Sequence, residues 1–117
     1  MRPAEVILPV LRSALPDALV VSVVPDVDQR TYPMVCIERS GGTRSENAPR
    51  LLALSEVDIT VVSADGLIAA EELYEDALDA LYDALPGVRE TQGATEVESK
   101  YPDTWAVEGT IRVRVRR

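Results

Sequence analysis

The chain has 117 residues, 46% apolar and only 4% aromatic, with 12 basic and 20 acidic residues for a net charge of −8. That length suits a single domain, 1–117, with a core of its own, and apolar residues set in periodic blocks argue against disorder. One cysteine excludes an internal disulfide, the absence of histidine removes the commonest general base and metal ligand, and an acidic surface repels phosphate backbones.

Pro3 suits the first position of a helix, and Val6, Ile7, Val10, Leu11 and Leu15 recur at spacings of three and four. A helix is therefore predicted over residues 3–15, with Pro9 expected to kink or shorten it. Residues 18–24 are apolar and mostly β-branched apart from Ser22, which predicts a strand covered on both faces. Pro25-Asp26-Val27-Asp28 reads as a turn. Residues 34–39 form a second predicted strand, with Val35 and Ile37 on one face and Met34, Cys36 and Glu38 on the other. Residues 40–50, Ser-Gly-Gly-Thr-Arg-Ser-Glu-Asn-Ala-Pro-Arg, read as a polar loop, long for a small domain and of a length that often carries function. A third strand is predicted over 53–62, with Val57, Ile59 and Val61 facing one way and Glu56, Asp58 and Thr60 the other.

Residues 67–85 carry the strongest helical pattern. Asp65 is the expected N-cap and Pro86-Gly87 the stop. Glu72, Asp76, Asp79 and Asp83 are spaced 4, 3 and 4 apart and form one acidic stripe. The expected buried side is Leu73, Ala77, Leu81 and Ala84, flanked by Tyr74, Leu78 and Leu85. After Val88 the pattern turns β, weakly through 94–100 and cleanly over 105–115. There Trp105, Val107, Gly109, Ile111, Val113 and Val115 share one face, and Ala106, Glu108, Thr110, Arg112, Arg114 and Arg116 the other. The order α-β-β-β-α-β-β predicts an α+β fold, its sheet mostly antiparallel or mixed, with two helices packed on one face. No apolar run approaches the ~18–20 residues of a membrane span.

Candidate chemistry is sparse. Cys36 has no histidine to activate it and reads as a small strand residue. Gly41-Gly42 lacks the lysine and hydroxyl of a phosphate loop. Asp26 and Asp28 lack the glycine and distal glutamate of a calcium loop. No catalytic residue, metal site or cofactor is predicted, and the chain does not read as an enzyme. The charge distribution says more. Seven acids and no base lie between Asp65 and Leu85, whereas four arginines and no acid lie between Gly109 and Arg117. Arginines 112, 114 and 116 on one strand face repel each other unless counter-charge is near. Glu56 and Asp58 of the same subunit, or a neighbouring subunit, are the two available sources.

These residues resemble a known family. A helix ending Leu-Pro and an apolar strand ending Val-Pro lead to Pro33-Met-Val-Cys-Ile-Glu-Arg-Ser-Gly-Gly42. A polar loop with Pro49-Arg50, Val57-Asp-Ile-Thr-Val61, an Ala- and Leu-rich helix and a final strand of alternating Val and Arg follow. The pattern is similar to the tail terminator (tail completion) proteins of long-tailed bacteriophages. The resemblance implies a structural virion protein, a homo-hexameric ring that caps the tail tube and ends its polymerisation. Its implied partners are further copies of itself, the major tail tube protein and the head-neck connector, with DNA passing through the lumen without specific binding. The implied location is the head-proximal end of the tail, and the host cytoplasm during assembly. Gly41, Gly42, Thr43, Arg44 and Arg50 are the expected tube or neck contacts. Glu72, Asp76 and Asp79 against Arg112, Arg114 and Arg116 are the expected ring contacts. A neck or head-closure connector of the same particle, and a ferredoxin-like ligand-binding domain, are the alternatives.

Overall fold

A computed structural model of the chain describes residues 3–26, 29–44 and 52–116. Among the described residues the order is α1 (Pro3–Ala14), β1 (Leu19–Val21), β2 (Met34–Arg44), β3 (Leu52–Ser63), α2 (Leu67–Ala84), β4 (Arg89–Val97) and β5 (Trp105–Arg116). The strands make one sheet in the order β1-β2-β3-β5-β4. β1 runs parallel to β2, and every other neighbouring pair is antiparallel. Both helices pack on the same face, α1 against β1, β2 and α2, and α2 against β3 and β5. This is the expected α+β architecture with a mixed sheet.

The period-2 and period-3.6 patterns meet in one core. Ile7 and Leu11 of α1 and Ala70, Tyr74, Ala77 and Leu81 of α2 cover Val35, Ile37, Val57, Ile59, Val61, Val107, Ile111 and Val113 of the sheet. Each fully buried aliphatic side chain contributes roughly 1.5–3 kcal/mol relative to exposure. On the opposite sheet face a smaller apolar cluster forms at one end only. Met34, Val62 and Ala106 are buried there, with Leu19, Val21, Val24, Tyr32, Val97 and Tyr101 packed around them. Val20 of β1 enters the main core while Leu19 and Val21 join the second cluster, so β1 is covered from both sides, as its composition predicts.

Pro9 lies inside α1 and is exposed, so water can satisfy the carbonyl that lacks its helical donor. Three expectations are corrected. β1 spans three residues rather than seven, and Val23 beyond it is 79% exposed. Gly41, Gly42, Thr43 and Arg44, expected in the loop, instead continue β2 and pair with Glu56, Ser55, Leu54 and Ala53, and the rest of the predicted loop lies outside the described residues. A shift of register between Arg39 and Gly41 marks the irregularity that the glycine pair tolerates. Arg50 lies outside the described residues. α2 is preceded not by an aspartate cap but by Gly66 at φ 111°, with no side-chain cap bond. The Asp65 amide instead donates to Ser63 Oγ at 3.0 Å. A positive φ suits glycine, which has no Cβ to clash. Two side chains expected on the buried side are exposed: Ala84, and Trp105, the first residue of β5, which is 43% exposed.

Candidate assembly surfaces

With the helices on one face, the other sheet face carries the polar half of each strand. Reading across β2, β3, β5 and β4, one row is Glu38, Asp58, Thr110 and Gln92, and the next is Gly41, Glu56, Arg112 and Arg89. Thr110 Oγ1 donates to Asp58 Oδ1 at 2.7 Å, and Thr60 Oγ1 donates to Glu108 Oε2 at 3.2 Å. Two of the face's carboxylates are therefore tied to threonines of neighbouring strands.

The register separates the three arginines. Arg112 stands opposite Glu56, an acid of its own subunit. Arg114 stands opposite Leu54 and Arg116 opposite Leu52. Arg112 and Arg114 are both exposed, and the Arg114 side chain lies beside Gly87. Glu72, Asp76, Asp79 and Asp83 are exposed on α2, whose buried side faces the sheet. The acidic stripe thus lies on the opposite side of a two-layer subunit from Arg112 and Arg114 and does not meet them within it. Thr43 and Arg44 extend the hairpin arm of β2 beside β3, at the same end of the sheet as Arg114.

Cys36 is half-buried on the sheet face opposite the helices. Burial, and then Glu38, push its thiol up, with Lys100 pulling the other way. A neutral thiol is a poor nucleophile. Among the described residues no group of three or more Cys, Asp or Glu is placed to hold a metal ion.

The most constrained polar contact was not legible in the sequence. Tyr74 is fully buried, and its hydroxyl donates to Glu90 Oε2 at 2.8 Å. The Glu90 amide donates to Tyr82 Oη at 3.0 Å, so two tyrosines of α2 hold the start of β4. Gly109 makes room, since a Cβ there would stand 2.0 Å from Tyr74 Oη. A glycine amid the β-branched core face of β5 is the signal that could have pointed to it. Burial, and next the Glu90 hydrogen bond, push the Tyr74 phenol well above its usual range. The neutral phenol is the form that the fold favours. Its stabilisation is complete below the unfolded value near ~10 and is lost as pH rises toward the folded value. Denaturant titrations should therefore show stability falling above pH ~10, with a shallower fall in Tyr74→Phe. Equal slopes in the two proteins would show that Tyr74 is not responsible.

Comparison with known proteins accords with this fold. The family model described as "Phage tail termination protein" matches residues 1–87. The Gene 22 protein of Mycobacterium phage L5 is 46% identical, over 99% of this chain and 93% of its own length. The Gene 22 protein of Mycobacterium phage D29 is 44% identical, over 98% and 92%. A chain in the virion of a native gene transfer agent particle shares the fold at a TM-score of 0.50 and 17% identity, covering 100% of this chain and 89% of that one. The chain belongs to the phage tail termination protein family and is a structural protein of a phage tail.

Proposed function

We propose that six copies of this chain close into a ring at the head-proximal end of the tail tube, ending tube polymerisation and joining the tail to the head-neck connector. The whole chain acts as one terminator domain, without catalytic activity. The observation that carries this reading is the pair of unlike charged patches on opposite sides of the subunit. A ring needs a heterologous interface, in which two different patches of one subunit meet on successive copies. The α2 acids Glu72, Asp76 and Asp79 of one copy face Arg112, Arg114 and Arg116 of the next. Gly41, Gly42, Thr43, Arg44 and Arg50 are the contacts proposed for the tube or neck. A net charge of −8 favours passage of DNA through the lumen, because few phosphate contacts form.

Charge reversal tests it. Arg112→Glu with Arg114→Glu is expected to leave the subunit folded and to block ring closure. Rim pairs are individually weak but set orientation and exclude wrong partners. Adding Glu72→Arg and Asp76→Arg should partly restore closure. Arg114→Glu alone disturbs the subunit least, since Arg114 stands opposite Leu54 rather than an acid. The readouts are native mass at low and high salt, and the count of normal-length tails in complementation. Normal rings from the double glutamate variant would remove these charges from the interface. A misfolded double variant with a folded, ring-forming Arg114→Glu would assign the arginines to their own subunit.

A further inference from the structure

The sheet face away from the helices holds a recess of about 270 Å3 at its apolar end. Met34, Val62 and Ala106, all buried, make its floor. Tyr101 forms a wall that is held from several sides. The Arg30 guanidinium lies 4.8 Å from its ring centroid, and the Tyr32 ring centroid lies at 6.4 Å. Arg30 Nε in turn donates to the Pro25 carbonyl at 2.8 Å. The loop carrying Tyr101 is tied by Thr104 Oγ1 donating to the Tyr101 carbonyl at 2.7 Å and the Tyr101 amide donating to Ser99 Oγ at 3.3 Å. The recess is thus preformed. Its rim carries Glu38, Glu98 and Glu108 against a single Lys100.

Size and charge define what fits. The volume falls below the usual range of small-molecule pockets, ~300–1,000 Å3, and suits one or two side chains. An apolar floor takes an aliphatic group, and an excess of carboxylates at the rim attracts a base beside it. We propose that this recess is a docking socket for an extended segment of another protein of the particle, one presenting an aliphatic side chain flanked by lysine or arginine. The inference rests on the ring reading, which engages this chain's own arginines between subunits and leaves the socket to a different protein.

Cys36 lines the recess and is the only cysteine in the chain, so it reports occupancy without any substitution. The experiment compares N-ethylmaleimide modification of Cys36 in the purified protein and in intact particles at pH 8.5. The expected result is measurable modification of the free protein and a rate at least about tenfold lower in particles. Equal rates in both would overturn the proposal. Slow modification in the free oligomer that speeds up on dilution to the monomer would overturn it too, by identifying the occupant as a second copy. A variant with Glu38→Lys and Glu98→Lys, both exposed positions, should form the same oligomer by native mass yet lose joined, infectious particles. Normal particle yield from that variant would overturn the role of the acidic rim. Native mass judges the ring and Cys36 judges the socket, so failure of one reading is distinguishable from failure of the other.

Discussion

Replacing Ile111 by aspartate is expected to leave no folded protein. Ile111 is fully buried on β5, paired with Val57 of β3 on one side and Glu90 of β4 on the other, in the core that α2 covers. An aspartate there would be desolvated beside aliphatic groups, and the Glu90 carboxylate nearby would repel it. Burying an uncompensated charge costs several kcal/mol, against a total stability of ~5–15 kcal/mol for a domain. The neighbouring Arg112 points to the other face, and Arg112→Ala should change stability by ~0.5 kcal/mol or less. Circular dichroism and thermal melting check both. A soluble Ile111→Asp protein with a cooperative melt would show that the faces of β5 are reversed.

The second large effect is expected from a single methyl group. A Cβ on Gly109 would meet Tyr74 Oη at 2.0 Å, Cζ at 2.6 Å and Cε2 at 2.9 Å. Tyr74 cannot retreat without giving up its bond to Glu90 and opening the packing of α2 on β5. Gly109→Ala should cost roughly 2–4 kcal/mol, the sum of overpacking and a lost hydrogen bond to a charged group. In a Tyr74→Leu background the obstructing ring is gone, and the same substitution should cost less than about 1 kcal/mol. Urea denaturation of the four proteins of this cycle measures the coupling. Additive costs would mean that the glycine is needed for the strand itself and not for the tyrosine.

Much of the fold was legible because the strongest signals are periodic. Val57, Ile59 and Val61 alternate with Glu56, Asp58 and Thr60, and Val107, Ile111 and Val113 alternate with Thr110, Arg112 and Arg114, so their faces could be assigned before any pairing was known. The failures have a common cause. Gly41 and Gly42 carry no side chain to alternate, and what makes them strand residues is the partner β3, a non-local fact. The Asp65 cap was displaced by a backbone need at Gly66 that residue preference does not reveal. Within the candidate surfaces, the acidic and arginine stripes were readable, but the register that answers Arg112 with Glu56 and leaves Arg114 facing Leu54 was not. The tyrosine tie to Glu90 links residues of α2 and β4 through space, and only Gly109 hinted at it.

The two borders of the sheet bear on how such a subunit waits before it is used. At β1, Arg12 Nε and Nη2 donate to the Val20 carbonyl at 3.2 and 3.1 Å. That side chain takes an acceptor on a strand only three residues long. At β4 the ladder to β5 is interrupted twice, between Glu90 and Gln92 and between Gln92 and Thr95, and Arg89, Glu90 and Glu96 stand exposed along it. Charges and irregular edges are the means by which sheets discourage a foreign strand. A head-to-tail contact that fails to close grows into a fibre rather than a ring. These two strands therefore offer little to a foreign strand, which fits the face-to-face contact proposed between successive copies of the ring.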